Sequence, residues 1–325
     1  MFTRKDIERK NIFVVNGLEN HHFKIQNGFL WLEEHREGEK ICKTKFPIQK
    51  ILFLMIIGHT TLTTAVLDKC NKAKVPVVVM KPNFRCVLNY CNIADANYLL
   101  RKKQHQQPAL RIDIAQSLIW NKMRNQLALL QKSRMKDEKT IRAIEHIENS
   151  LPLLGQYGEL KTLMGAEGVA SRLFFEAYYQ KFGWKKRQPR IKCDPLNALL
   201  DIGYTFLFNY MESMCRLFGF DLYVGVYHQL FFKRKSLVCD LVEPFRCVID
   251  HEIRKGFNAG KVKLDDFELY NKAYYLKRGS RSEYTVLFMQ GLIKYKQEIF
   301  VYVQQYYRFF VNKKSVVEFP QFNLK

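Results

Sequence analysis

Four side chains have the types and spacing to hold a divalent cation together: Glu167, His228, Asp240 and Glu243. Glu167 lies in LMGAEGVASRLFFEAYY, Leu163 to Tyr179. There Ala170, Leu173, Phe174, Ala177 and Tyr178 recur at the spacing of one buried helical face, and three residues back the same face reaches Glu167. A carboxylate at the start of a core-facing stripe must be paired or neutralised, because burying it alone costs several kcal/mol. A salt bridge to an arginine would satisfy it, as would a first-turn position favoured by the helix dipole. Asp240 and Glu243 stand three apart in SLVCDLVEPFR, on one helical face flanked by Val238, Leu241, Val242 and Phe245. Two like charges side by side call for a cation between or beside them. His228, in LYVGVYHQLFF, follows a glycine inside an apolar run. A lone histidine there is equally a satisfied core residue. Glu, His and Asp or Glu together suit a divalent ion with open coordination positions, and such an ion suits phosphodiester chemistry.

The charge balance points to the same substrate class. Lys plus Arg number 53 against 31 Asp plus Glu, a net of +22 over 325 residues. The excess recurs at Arg101 to Lys103, in KKRQPRIK (Lys185 to Lys192), at Lys233 to Lys235 and in KRGSR (Lys277 to Arg281). A folded chain this basic meets a polyanion, and nucleic acid fits better than a membrane because the clusters share no amphipathic stripe. Generic surface solubility is the plain alternative. The hydrophobic fraction of 47% supplies a packed core and argues against disorder. Eight cysteines without a C-x-x-C pair read as reduced thiols of an intracellular protein, not as a disulfide framework or zinc site. The charged stretch Met1 to Lys10 does not read as a signal peptide. The most apolar run, Ile51 to Leu67, carries His59 and four threonines and is short for a membrane span.

Two regimes of periodicity must position these residues. Short apolar or alternating runs at Asn11–Gly17, His22–Glu34, Lys50–Gly58 and Val75–Met80 predict strands. Asn-Gly at 16–17 and 27–28 predicts turns, and a helix is expected over Thr61–Lys72. From about Asn97 the period becomes helical. Asp194 and Pro195 mark the N-cap and first residue of a helix running to Phe220, and one long helix is expected over Tyr284–Tyr306. The expected fold class is α+β: a small β-rich domain at 1–90 followed by a larger, all-helical domain at 91–325 that carries the metal site.

The ordered series LMGAEG with an aromatic-rich helix, DPLNALLDIGY, GVYH, then SLVCDLVEPFR and Asp250, resembles the CRISPR-associated protein one family, the spacer-acquisition integrases. NIFVVNG and KVKLDDFELYNKAYYLKRGSR are similar to that family as well, so the resemblance covers nearly the whole chain. It implies that Glu167, His228 and Glu243 are the catalytic metal ligands for Mg²⁺ or Mn²⁺, with Asp240 as a supporting acid. It implies a metal-dependent DNA endonuclease and integrase, in which the 3′-OH of a short foreign duplex attacks a phosphodiester at the end of a CRISPR repeat beside the leader. A histidine ligand must be neutral, so activity is expected to fall in acid. The implied partners are double-stranded DNA (prespacer and leader-repeat), a second copy in a homodimer, and a small second adaptation subunit bridging two dimers. The implied location is the prokaryotic cytoplasm, at the nucleoid. Arg172, Arg246, Arg101, Lys185, Lys186 and Arg187 are the candidates for DNA contacts. Two other readings use the same residues: a non-catalytic DNA-binding scaffold of this fold, and a repair nuclease for branched DNA.

Overall fold

The run Ile51–Ile57 becomes the centre of a sheet. Every residue in it is buried, with Leu52, Phe53, Met55 and Ile57 facing one hydrophobic cluster and Ile51, Leu54 and Ile56 the other. A strand covered on both faces reads as continuous apolar sequence, not as an alternation. The structure, a computed structural model, describes residues 2–36, 39–94, 96–106, 111–134, 136–312 and 314–325. Its main sheet comprises β1 (Asn11–Gln26), β2 (Phe29–Arg36), β3 (Glu39–Pro47), β4 (Ile51–Leu62), β5 (Val77–Met80) and β6 (Cys86–Tyr90), in the order β3-β2-β1-β4-β5-β6. Strand β4 pairs in parallel with β1 and β5; the other pairings are antiparallel.

The turn expected at Asn27–Gly28 is present, and both residues take positive φ, at 50° and 76°. That is the mirror-image turn that matches strand twist. The turn expected at Asn16–Gly17 is absent. Strand β1 runs through it, and the signal marks a register shift against β4 between Asn16 and Leu18.

The helices are α1 (Arg4–Arg9), α2 (Thr64–Lys72), α3 (Tyr98–His105), α4 (Ile112–Gln131), α5 (Glu138–Ser150), α6 (Leu160–Tyr178), α7 (Pro195–Phe218), α8 (Ser236–Val242), α9 (Arg246–Asn258), α10 (Arg281–Lys294) and α11 (Lys296–Val311). Helix α7 begins as expected: Asp194 Oδ1 accepts from the Asn197 amide at 2.7 Å, and Pro195 is the first helical residue. It ends at Gly219, whose φ of 81° closes the helix.

Two expectations need correction. The C-terminal region is not all helical: β7 (Phe267–Tyr270) and β8 (Ala273–Leu276) form a hairpin. Asn271 and Lys272 make its two-residue turn, both at positive φ, and Phe267 and Leu276 bury its base. A lysine where such turns usually carry glycine hides the signal. The long helix over Tyr284–Tyr306 is two, broken at Tyr295, whose φ/ψ of −105°/15° leave the helical region while its hydroxyl donates to the Lys325 carbonyl at 3.1 Å.

The described cysteines, Cys70, Cys86, Cys91, Cys193, Cys215, Cys239 and Cys247, are free thiols; the Cys42 side chain lies outside the described residues. Among the described residues no helix is long and apolar enough to cross a membrane.

Helix α7 packs on α8, α9, α10 and α11 through a continuous core, and one glycine makes the closest approach possible. A Cβ on Gly203 would lie 2.5 Å from Ile249 Cγ2 and 2.7 Å from the Phe288 ring. Gly203→Ala therefore forces a shift of α9 or α10 and is expected to destabilise the protein by about 1–3 kcal/mol in denaturant unfolding. An unchanged midpoint would show that these helices yield freely.

Candidate metal centre and nucleic-acid cleft

Glu167 is two turns inside α6, since the helix starts at Leu160, so the helix dipole does not explain it. Leu163 and Ala170, one turn either side, are fully buried and turn this face toward α4. There Glu167 meets Lys122, a residue that sequence reasoning missed. Lys122 Nζ lies 2.5 Å from Glu167 Oε1 and 2.7 Å from Glu243 Oε2. One ammonium thus bridges the two carboxylates. Their side chains are 17% and 4% exposed and that of Lys122 is 11%, so water does little of the screening. Ser171 Oγ also donates to Glu167 Oε1 at 2.7 Å, and Tyr227 Oη stands 3.5 Å from Oε2.

Glu243 follows the last residue of α8 and opens a one-turn 3₁₀ segment, Glu243–Phe245, that leads into α9. The joint is held from α4: Asn125 Nδ2 donates to the Pro244 carbonyl at 3.1 Å, and Asn125 and Lys122 are three apart on one face. Arg246 Nη2 completes the charge pairing at 3.0 Å from Glu243 Oε1, with its guanidinium 4.6 Å from the Tyr204 ring centroid.

Asp240 does not face Glu243 as the shared helical face suggested. Its carboxylate turns to the preceding loop and accepts from the amides of Val226 at 2.5 Å, Tyr227 at 3.1 Å and His228 at 2.8 Å. His228 Nδ1 lies 2.8 Å from the same carboxylate. A carboxylate on Nδ1 fixes the ring and leaves Nε2 as the nitrogen that could meet a ligand. Gly225 makes room for this cradle, since a Cβ there would lie 2.8 Å from Asp240 Oδ2.

The ionisations follow from these contacts. Burial opposes ionisation of Glu243, but Arg246, Lys122 and His228 together outweigh it and hold the carboxyl at about 2. Burial likewise opposes ionisation of Glu167, and Lys122 outweighs it and lowers its pKa. Burial pulls the Lys122 pKa down, and the two glutamates more than reverse that. Asp250 is the opposite case. Burial raises it to about 6, although Tyr204 donates to Oδ1 at 2.7 Å and Tyr179 at 3.1 Å.

Glu167, Glu243 and Lys122 open on a cleft of about 820 Å³. Arg172, Lys186, Arg187 and Arg246 line the same cleft, and Arg190 and Lys192 extend its basic wall. Arg187 is fixed by Asp201, 2.6 Å from Nη2. Arg101 and Lys185 are not in the wall; Arg101 Nε donates to the Gly219 carbonyl at 3.2 Å, and Lys185 is exposed. His228 also stands outside the wall. Among the described residues, no three His, Cys, Asp or Glu side chains are grouped closely enough to enclose a metal ion. The donor set nonetheless suits a hard divalent cation, and the Lys122 ammonium already marks where positive charge sits between the two carboxylates.

The sequence profile of the family described as CRISPR associated protein Cas1 matches residues 19–290. The chain belongs to this family. It is 28% identical over 263 residues to "CRISPR-associated endonuclease Cas1 3" of Thermus thermophilus, spanning 78% of this chain and 77% of that one. It is also 28% identical to "CRISPR-associated endonuclease Cas1 1" of Thermodesulfovibrio yellowstonii, over 83% and 89% of the two chains. In fold it is similar to a casposase bound to integration product, at a TM-score of 0.76 and 18% identity over 94% of this chain and 92% of that one. It is similar too to a chain of a Cas6-RT-Cas1–Cas2 complex, at 0.78 and 21% identity, where it covers 98% of its own length but 36% of the larger chain.

Lys122→Met removes the shared cation and leaves two nearly buried carboxylates facing each other. A loss on the order of 3 kcal/mol is expected in urea unfolding at pH 7. The sign with pH is set by Glu243, whose folded pKa lies below the ordinary 4.5. Its contribution is complete above 4.5 and is lost as pH falls toward 2. With Lys122 gone the folded pKa rises and that window narrows from below, so wild type and variant converge in acid. A constant difference from pH 7 to pH 2 would refute this pairing.

Proposed function

We propose that the chain is a divalent-metal-dependent DNA endonuclease and integrase that inserts short foreign DNA into a CRISPR array. The observation that carries this reading is the convergence of Glu167 and Glu243 on one cleft lined by arginine and lysine. In this reading Glu167, Glu243 and His228 Nε2 hold Mg²⁺ or Mn²⁺. Such an ion, held there, would supply Lewis-acid activation of a phosphodiester. The attacking group is the 3′-OH of the incoming duplex, so no side chain acts as nucleophile.

The chain's own residues orient and balance. Asp240 fixes the His228 tautomer, Arg246 keeps Glu243 ionised, and Ser171 orients Glu167. Lys122 competes with the ion for the same carboxylate oxygens. Arg172, Lys186 and Arg187 contact the DNA backbone at the cleft, with Arg246 at the scissile phosphate; Arg101 and Lys185 meet DNA outside it. The protein works in the prokaryotic cytoplasm, at the nucleoid, as a homodimer, two dimers being bridged by a small second adaptation subunit. The β-rich residues 1–90 serve dimer and partner contacts, and 91–325 the chemistry. The Cas1–Cas2 assemblies among the similar structures support the partner reading.

The test combines the protein, the small partner, Mn²⁺, a short duplex with free 3′-OH ends and a plasmid carrying leader and repeat. Joined products at the repeat boundary are expected. Glu167→Ala and Glu243→Ala should lose them by at least a hundredfold while still binding duplex. Integration that survives in Glu167→Ala would sink the proposal, and a preference for branched DNA without repeat would favour a repair nuclease. Duplex affinity should also fall with salt, with a log–log slope of about −0.9 per phosphate neutralised. A flat response would remove the polyanion from the account.

A further inference from the structure

Lys122, Glu167 and Glu243 belong to three stretches of chain that meet a second time. About ten residues further along each, roughly 15 Å at 1.5 Å per residue, the C-terminal ends of α4, α6 and α9 surround a separate cavity of about 630 Å³. Leu129, Thr140, Ala177 and Tyr178 are its buried floor. Arg254 is fixed above them: Nη2 donates to Ser133 Oγ at 2.7 Å, and the guanidinium lies 4.3 Å from the Tyr178 ring centroid. Lys132, Arg134, Lys181 and Lys255 stand exposed around the rim. Among the described residues the lining holds one acid, Asp137. Its carboxylate accepts from the Thr140 amide at 2.9 Å and from the Gln180 side-chain amide.

Cations near helix C-termini ordinarily serve the last carbonyls and the dipole. Here that work is done by others. Lys136, outside the lining, donates to the Leu130 and Gln131 carbonyls at 2.9 and 2.7 Å, and α9 is closed by the Lys261 amide on the Gly256 carbonyl at 2.9 Å. Lys255 is paired with the buried Glu252 at 3.7 Å. Three helix ends carry about half a negative charge each, so together with Asp137 they do not cancel the remaining cations. His251, also in the lining, feels that surplus. Burial lowers its pKa, and the ammonium groups of Lys294, Lys255 and Lys132 lower it further against the pull of Glu252. The cavity lies in the range of about 300–1,000 Å³ typical of small-molecule sites. Its cations come from several elements around a hollow instead of forming a stripe, which suits a compact polyanion better than the regular phosphate rows of a duplex.

We infer that this cavity is a binding site for a free nucleoside polyphosphate, separate from the DNA cleft. Arg254 and the rim cations take the phosphates, and the floor of Leu129, Thr140 and Ala177 takes the nucleoside. The site does not depend on the proposed DNA reaction. Its place at the shared far ends of α4, α6 and α9 puts a small ligand in contact with the same helices that set the spacing of Lys122, Glu167 and Glu243.

The test titrates ATP into the full chain by calorimetry, in EDTA and at 0.15 M salt, where charge beyond about 8 Å is screened. Saturable binding of one ATP per chain is expected, tighter than about 1 mM and tighter than that of pyrophosphate or adenosine alone. Arg134→Ala, Lys181→Ala, both at exposed rim positions, should weaken it on the order of tenfold with an unchanged thermal midpoint. Arg254→Lys, which keeps the charge and loses the planar fork, should weaken it as well. Arg172→Ala, Lys186→Ala in the DNA cleft should weaken duplex binding and leave ATP affinity as it is, and duplex should not displace ATP. Three outcomes would overturn the inference. One is no saturable ATP binding. Another is competition by duplex or an equal loss in the cleft variant, which would assign the nucleotide to the DNA cleft. The last is pyrophosphate binding as tightly as ATP, which would leave a bare anion site with no nucleoside. Failure of integration with ATP binding intact would sink the proposed function alone.

Discussion

A single ammonium group held between two carboxylates organises the centre of this molecule. Lys122 meets Glu167 from α6 and Glu243 from the joint between α8 and α9. Without it, two nearly buried anions would face each other at the floor of the cleft, and the elements carrying them would be pushed apart. Around this bridge α4 is fixed on every side. Asn125 holds the Pro244 carbonyl and, with Asn121, the backbone of the chain's last residues; Gln126 Nε2 reaches Ser171 Oγ at 3.3 Å. The site is a property of α4 as much as of the acids themselves.

The charges divide into two populations. Arginines and lysines outside the site are largely exposed and raise the field of the surface, which governs encounter with a polyanion and weakens with salt. The acids at the site are largely buried, share the Lys122 ammonium and stay ionised, so a chain of net charge +22 still keeps a local pair of carboxylates. Asp240 serves a third purpose. Its oxygens are spent on three amides and one imidazole nitrogen, which makes it a structural acceptor for the loop that carries His228.

Much of this was legible in the residues. The stripe from Ala170 to Tyr178 named a buried helical face, and Glu167 stood out because it broke the apolar rule of that face. Asp194 and Pro195 marked the start of α7 through local chemistry alone. Lys122 was not legible. It lies in a helix rich in polar residues, where one more lysine reads as surface, and only tertiary contact turns it inward. Asp240 was placed on the wrong neighbour because helical spacing describes where side chains start and not which loop folds back onto them. The hairpin at 267–276 escaped because its turn is Asn-Lys, and the break at Tyr295 because the apolar period continues through it. In each case the deciding partner lies far along the sequence.

That remoteness has a consequence for how the protein is made. Asn121 exchanges two hydrogen bonds with the backbone of Phe322, 201 residues away, and Asn125 accepts from Leu324. At a synthesis rate of about 5–20 residues per second, α4 exists for roughly 10–40 s before these partners emerge. The sheet and the basic wall of the cleft are complete well before then. A nascent chain therefore displays its anion-attracting surface before residues 322–324 can fasten α4, the helix that holds the carboxylate joint.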